Sequence, residues 1–148
     1  MDQKDRQILQ QLQINGRLTN QELAEKVNLS PSPCLRRTRN LEEKGIITGY
    51  TALVDQSALG LSVTVFIRLK LQTHSETTVQ EFEQAVKDLD NILDCYLMTG
   101  DSDYLLRVAV KDLVDYEQFV RKKIHRLPHV ASIDTSFAYG VIKQTHTY

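Results

Sequence analysis

Two short amphipathic segments meet with almost no connecting chain, and this spacing limits how the first part of the sequence can fold. The first begins at Thr19 with Glu22 three residues later, a capping box in which each side chain satisfies a free N–H at the helix start. The second begins at Ser30, whose hydroxyl is expected to cap the first turn, and Pro31 suits the first helical position. Since only residues 28–29 lie between them, the two helices must meet at a sharp angle, as in a helix-turn-helix.

The second of these helices is basic on the side that faces away from its apolar residues. Gly45 ends it, because glycine readily takes the positive φ found at helix ends. At about 100° per residue, the side chains between the cap and this glycine separate into two sides. The apolar side holds Cys34, Leu35, Thr38 and Leu41, while the outward side holds Ser32, Arg36, Arg39 and Asn40, with Arg37 on the flank.

An arginine run on a helix is more often a solvated face than a binding surface, and a three-helix protein-interaction module is the corresponding alternative. The tight turn before the basic helix favours a helix-turn-helix, whose second helix enters the major groove of DNA. Phosphate contacts then supply affinity and salt dependence, whereas contacts to base edges supply sequence choice. We expect Ser32 and Arg36, near the helix start, to read bases. Thr19, Arg37 and Arg39 are expected to contact phosphates.

A further helix precedes this pair, and an extended segment follows it. Asp5 to Leu12 carries apolar residues at helical spacing, and Asn15-Gly16 closes the segment as a turn. Residues 46–55 are rich in β-formers and interrupted by Gly49, so we expect them to run as a strand or wing. A loose hinge follows at residues 57–61.

This hinge is the expected domain boundary. Residues 1–61 are predicted to form a helix-turn-helix DNA-binding domain with a linker strand. Residues 62–148 are predicted to form a second domain for effector binding and oligomerisation.

The hydrophobic period changes from that of a helix to that of a strand at Ser62. From Val63 to Leu71 every second residue is apolar, which is the clearest strand pattern in the chain. The resulting order βαββαβ is that of a ferredoxin-like domain, and the predicted fold class is α+β, a winged helix-turn-helix followed by this domain. The remaining strands are expected at Ile92–Met98, Tyr104–Val110 and Val130–Tyr139, and the helices after the caps Ser75 and Asp112.

One face of this four-stranded antiparallel sheet has no helix to cover it. We expect Phe66, Ile92, Tyr96 and Met98 on that face, and an exposed apolar patch usually marks a partner surface. A palindromic DNA site read by two recognition helices requires a two-fold protein. The sequence therefore predicts at least a homodimer.

A second candidate site lies in the stretch 97–104, Leu-Met-Thr-Gly-Asp-Ser-Asp-Tyr. No histidine or nucleophile is nearby in sequence to make an acid–base pair, and a calcium loop needs more oxygen ligands. Gly100 to Asp103 can be a plain hairpin turn. The alternative is a recognition loop, in which N–H groups near Gly100 hold a carboxylate and an aspartate holds an ammonium group. An amino acid carries both charges.

Composition and charge exclude several other classes. Residues 1–50 carry eight Lys/Arg against six Asp/Glu and the remainder ten against thirteen, which favours a basic front half for DNA and an acidic back half for another task. No apolar run is long enough to cross a membrane, and the start is no signal peptide, so a cytoplasmic protein is expected.

Cys34 and Cys95 are expected as buried side chains rather than a disulfide or metal site. We expect no cofactor and no enzyme activity, because no catalytic set is visible.

Several motifs, taken together and in order, resemble the Lrp/AsnC family of bacterial and archaeal transcription regulators. They cover nearly the whole chain and look closer to the leucine-responsive branch than to the asparagine one. They are Asp5-Arg6-Gln7-Ile8-Leu9, Asn15-Gly16-Arg17, Ser30-Pro31-Ser32-Pro33-Cys34-Leu35-Arg36-Arg37, Leu41-Glu42-Glu43-Lys44-Gly45-Ile46-Ile47, Gly49-Tyr50-Thr51-Ala52-Leu53 and Thr99-Gly100-Asp101-Ser102-Asp103-Tyr104-Leu105-Leu106.

The resemblance implies dimers that assemble into tetramers, octamers or larger rings, with double-stranded DNA outside and an amino-acid effector bound between dimers. Asp103 is the expected partner of the effector ammonium group. The effector-site residues implied are Leu97, Met98, Thr99, Gly100, Asp101, Asp103, Leu113 and Ser136.

The predicted function is that of a sequence-specific DNA-binding transcriptional regulator, associated with the nucleoid, whose assembly responds to an amino acid and which controls amino-acid metabolism genes. An architectural, chromosome-organising protein with little effector response is the alternative. The DNA-binding residues predicted are Thr19, Asn20, Ser30, Ser32, Arg36, Arg37, Arg39 and Asn40.

Overall fold

The computed structural model describes residues 1–145 of the chain. These residues form two compact units, one of Met1–Leu53 with residues from Ile142 onward, and the other of Val54–Val141. Among the described residues, no helix combines the length and apolar character needed to cross a membrane.

The linker segment before the sheet is held to the second unit by one side chain. The amide nitrogen of Gln56 donates to the Leu61 carbonyl (2.6 Å) and to the Thr64 hydroxyl (3.1 Å). The second compact unit accordingly includes residues 54–61, whereas the boundary expected from the sequence follows Leu61. The domain limits 1–61 and 62–148 stay a prediction.

The first unit is built on three helices, α1 (Gln3–Ile14), α2 (Asn20–Lys26) and α3 (Pro31–Glu43). The capping box predicted at Thr19 is present, with the Thr19 side chain accepting from the Glu22 N–H and the Glu22 side chain accepting from the Thr19 N–H. The helices enclose a small core of Ile8, Leu23, Ala24, Val27, Cys34 and Leu41.

The turn between α2 and α3 depends on Asn28, which takes the left-handed conformation with φ of 51°. Its N–H donates to the Glu25 carbonyl (3.2 Å), and the N–H of Leu29 reaches back to the Ala24 carbonyl (2.9 Å). These two bonds close the end of α2 in a Schellman motif, and asparagine tolerates the left-handed conformation better than most residues. The chain is thereby turned within two residues into α3.

The start of α3 differs from the expectation in one respect. Ser30 occupies the N-cap position, but its side chain makes no capping hydrogen bond. A cap of this type accepts from the N–H of the second or third helical residue, and the third is Pro33, which has no N–H. The predicted Ser30 cap is therefore wrong, and its hydroxyl is exposed.

The end of α3 agrees with the expectation. Gly45 has a φ of +66°, and its N–H donates to the Glu42 carbonyl (2.9 Å), while the Ile46 N–H donates to the Leu41 carbonyl (2.9 Å). Together they form a second Schellman motif.

Residues 46–55 were expected to run as a strand or wing, and the prediction of a strand is wrong. No strand forms there, although the Tyr50 hydroxyl donates to Glu42 (2.8 Å) and so holds the segment near the end of α3. A strand needs a neighbouring strand for its N–H and C=O groups, and within the described chain this segment has none. The β-forming residues of this segment alone do not suffice to form a strand.

The second unit has the predicted βαββαβ order and a four-stranded antiparallel sheet. Two helices, α4 (Glu76–Lys87) and α5 (Leu113–Lys122), cover one face. The strands are β1 (Val63–Leu71), β2 (Ile92–Leu97), β3 (Tyr104–Val110) and β4 (Val130–Phe137). They lie in the sheet in the order β2-β3-β1-β4. The buried core between sheet and helices includes Ile67, Leu69, Phe82, Tyr104, Leu106, Val108, Phe119 and Ile124.

The open face of the sheet is less apolar than expected. Phe66 lies opposite Arg107 and Tyr96 lies opposite Leu105, so both predicted aromatic residues lie on the open face. Ile92 does not lie on the open face, because it packs against the core on the helix side and the register of β2 shifts directly after it. Met98 lies beyond the end of β2. The ion pairs Asp94–Arg107 and Arg68–Asp134 share the face with the aromatic rings.

The two cysteines have different environments. Cys34 is fully buried in the core of the first unit, as expected. Cys95 is exposed, and the prediction of a buried side chain is wrong there. It lies on β2, an edge strand of the sheet, where fewer neighbouring side chains cover it.

The difference between the two caps predicts a difference in stability. Thr19→Ala should reduce the free energy of unfolding of the first unit by about 1 kcal/mol, because it removes a capping bond. Ser30→Ala should change it by less than about 0.5 kcal/mol, because the Ser30 side chain makes no capping bond. Urea unfolding followed by NMR signals of first-unit residues measures both, and equal reductions would contradict the assignment of the caps.

Candidate nucleic-acid interface and effector loop

The outward side of α3 presents cationic and polar groups to solvent. Ser32, Arg36, Arg39 and Asn40 are all exposed, as predicted from the helical period. Within residues 1–145, neither Arg36 nor Arg39 has a carboxylate partner within ion-pair distance. Both guanidinium groups are therefore available to an anion approaching α3.

Arg37 lies in a different environment. Its Nη1 atom is 2.7 Å from Oδ2 of Asp2, the N-cap of α1, and 2.8 Å from Oδ1 of Asp5 in the first turn of that helix. Its side chain is 31% exposed. The structure thus uses this arginine inside the first unit, and its predicted contact with phosphate stays a prediction.

The start of α3 is tied to the start of α2. The Asn20 side-chain amide donates to the Pro31 carbonyl (2.9 Å), so Asn20 positions the turn. Thr19 is exposed, but its hydroxyl is engaged with Glu22, donating to the carboxylate (2.8 Å) and accepting from the N–H (3.2 Å). The hydroxyls of Ser30 and Ser32 are exposed at the same end of α3.

The loop between β2 and β3 is a tight turn anchored at its end to β1. The Met98 N–H donates to the Asp103 carbonyl (2.8 Å), and the Asp103 N–H donates to the Leu69 carbonyl (2.9 Å). Gly100 has a φ of +107°, which an L side chain rarely adopts. Thr99, Gly100 and Asp101 are exposed.

The Asp103 carboxylate is held by two donors of the same chain. Oδ2 accepts from the Leu71 N–H (2.8 Å), and Oδ1 pairs with Nε2 of His74 (2.9 Å). The Leu71 N–H, followed by His74, lowers the pKa of Asp103 below its ordinary value. Each oxygen keeps a second acceptor position, so an ammonium group can still be bound.

Two of the predicted effector residues lie away from this loop within one chain. Leu113 begins α5, at the far end of β3, and the length of that strand is roughly 20 Å at about 3.4 Å per residue. Ser136 lies on β4, at the opposite edge of the sheet from β2, opposite Phe66. The contiguous residues Leu97, Met98, Thr99, Gly100, Asp101 and Asp103 are brought together, and these two are not.

Some structural residues were missed by sequence reasoning. His74 is one of them, because nothing in its sequence surroundings points to Asp103. Asp2 and Asp5 carry a detectable signal, because two carboxylates at this spacing form a capping box, and the structure confirms it at the start of α1.

Taken together, the fold and the exposed basic helix define a two-domain DNA-binding protein of the helix-turn-helix class. Residues 1–48 match the family model of a winged helix-turn-helix DNA-binding domain, and residues 64–148 match that of the Lrp/AsnC ligand binding domain. The chain belongs to the Lrp/AsnC family of transcriptional regulators.

Individual relatives agree with this assignment. The leucine-responsive regulatory proteins of Escherichia coli (strain K12) and Klebsiella pneumoniae are each 40% identical over 146 residues, 99% of this chain and 89% of theirs. A Neisseria meningitidis transcriptional regulator solved in complex with L-Met is 38% identical with a TM-score of 0.94, over 100% of this chain and 96% of that one. An AsnC family regulator from Agrobacterium tumefaciens is 37% identical with a TM-score of 0.93, over 98% and 94%.

The contacts of Asp103 predict an acid-dependent change at the loop. Because its pKa is lowered, its ionised form stabilises the fold above the unfolded-state pKa of about 3.9, and this stabilisation disappears as the pH falls through the lower folded-state value. We expect the Leu71 amide signal in NMR to titrate with a midpoint below that of an ordinary aspartate. Asp103→Asn should abolish this titration. A wild-type midpoint at or above roughly 3.9, the unfolded-state value, would contradict the lowered pKa of Asp103.

Proposed function

We propose that this regulator binds a specific DNA sequence as a two-fold assembly in the cytoplasm, on the nucleoid, and controls genes of amino-acid metabolism. The observation that carries the proposal is the exposed outward side of α3, where Arg36 and Arg39 have no carboxylate partner within the described chain. That side of α3 faces solvent because Cys34 and Leu41, on the opposite side, are buried in the core. A purely architectural role has no support among the relatives, which are transcriptional regulators.

The roles of the outward residues follow from their position along α3. Ser32 and Arg36 lie in its first half, and residues near the start of a recognition helix reach base edges. Arg39 lies more than half a turn further on and is assigned to a phosphate. Thr19, at the start of α2, is assigned to a phosphate, and its hydroxyl would then exchange its donated bond to Glu22 for one to the phosphate.

Two substitutions separate base reading from phosphate binding. Arg36→Ala should cost about 1–3 kcal/mol on the specific site and relax the sequence preference, because it removes a bidentate hydrogen bond to a base edge. Arg39→Ala should weaken specific and random DNA alike and make the dependence on salt less steep. Fluorescence anisotropy with both DNAs over a range of salt concentrations measures this.

Arg17→Ala provides a comparison, since this exposed arginine lies outside α3 and is not assigned to a base. It should leave the sequence preference unchanged. Equal relaxation of the preference by Arg36→Ala and Arg39→Ala would refute the division of roles.

The proposed effector is a small amino acid held at the loop 97–103. The ligand-binding family model and the L-Met complex of the Neisseria relative support this class of ligand. Exposed backbone at Gly100 suits the carboxylate, and Asp103, oriented by Leu71 and His74, suits the ammonium group. Because Leu113 lies a strand length away in the same chain, a second copy would have to supply it.

Control of DNA binding would follow from differential affinity. An amino acid that binds between two copies of the chain favours the assembly in which those two copies lie side by side. Each assembly spaces its recognition helices differently, so the amino acid changes DNA binding. The open sheet face, with exposed Tyr96 and half-buried Phe66 and Leu105, offers a surface on which a two-fold pair could form.

Asp103→Asn tests the effector site. The amide can still accept from the Leu71 N–H but lacks the charge, so affinity for L-Met or L-Leu in calorimetry should fall at least about tenfold. Asp90→Asn, an exposed change on the turn after α4, is the matched control and should bind as wild type does.

Undiminished binding by Asp103→Asn would remove Asp103 as the ammonium partner. Light scattering with each amino acid tests the assembly step, and a mass that no amino acid changes would refute control by assembly.

A further inference from the structure

The first turn of α1 contacts both helices of the helix-turn-helix pair. Its Asp2 and Asp5 carboxylates hold Arg37 in the middle of α3. Between them, the Lys4 ammonium group donates to the carbonyl of Val27, the residue that ends α2. One helical turn therefore fastens the end of α2 and the middle of α3 at the same time.

The four carboxylate oxygens of this turn all have partners. Oδ1 of Asp2 accepts from the Asp5 N–H (3.0 Å) and Oδ2 of Asp5 accepts from the Asp2 N–H (2.9 Å), which forms the capping box of α1. The remaining oxygen of each residue accepts from Nη1 of Arg37. Arg37 thus completes the hydrogen bonding of both carboxylates and is more than an isolated surface ion pair.

The local charge opposes a phosphate at Arg37. Two carboxylates within 2.8 Å of Nη1 outnumber its single positive charge, whereas Arg36 and Arg39 have no such neighbours in the described chain. Asp5 is a buried charged residue, and a carboxylate removed from water needs a partner. The guanidinium group is therefore required by the protein itself.

We propose that Arg37 is a positioning residue that sets the angle of the recognition helix by locking α3 onto the first turn of α1, and that it makes no phosphate contact. The inference rests on DNA binding through α3. It replaces the phosphate role expected for Arg37 from sequence. It also gives the first turn of α1 an indirect part in DNA recognition.

Arg37→Met and Arg39→Met are compared on specific and random DNA, at a temperature where circular dichroism shows each variant fully folded. Methionine keeps most of the apolar stem and removes the charge. Arg39→Met should reduce the salt slope by about 0.9 for each phosphate that the variant no longer neutralises. Arg37→Met should leave the slope and random-DNA affinity unchanged and reduce specific affinity by about tenfold, because a misplaced helix first weakens the hydrogen bonds to base edges.

Two results of this comparison would overturn the proposal. A reduced slope with Arg37→Met would show that Arg37 binds a phosphate. Unchanged affinity for both DNAs in the folded variant would show a residue needed for stability alone.

A double-mutant cycle without DNA tests the lock separately. Arg37→Met should lower the midpoint of thermal unfolding, and adding Asp5→Asn should restore part of that decrease, because the unpaired carboxylate is then gone. Strictly additive effects of the two substitutions on the unfolding midpoint would refute the proposed coupling of Arg37 to Asp5. This cycle stays informative if wild type binds no DNA, a result that would instead refute the proposed function.

Discussion

The left-handed turn at Asn28 is the constraint on which the first unit depends. Its two hydrogen bonds close the end of α2, and the chain enters α3 two residues later, which limits the directions that α3 can take. Cys34 and Leu41 then fix the rotation of α3 about its own axis by entering the small core. Everything on the opposite side, including Arg36, is presented to solvent as a consequence.

Much of this could be predicted from sequence, because the signals are local. The capping box at Thr19, the glycine at position 45 and the two-residue period from Val63 each depend on neighbours a few positions away, and all three are confirmed. The βαββαβ order follows from the same kind of signal. The strand expected at residues 46–55 does not form in this chain, because strand formation depends on a partner strand, which no local pattern reveals.

The errors within the candidate sites have a related cause. Helical periodicity places Arg37 on the flank of α3, but only the fold brings Asp2 and Asp5 beside it from more than thirty positions away. In the same way, Asp103 reads as a free carboxylate in a turn, whereas the pairing of β1 and β3 brings the Leu71 N–H and His74 to it. Long-range partners therefore decide which charged groups remain open to a ligand.

The two prolines that open α3 have an effect on recognition beyond the missing cap. Pro31 and Pro33 hold φ near the helical value at two of its first three positions, so this part of the chain has less conformational entropy to lose than an ordinary helix end. Helix ends usually fray, and ordering them on contact with a partner lowers affinity. Here the end that carries Ser32 is preorganised, so its encounter with a duplex requires little rearrangement of the backbone.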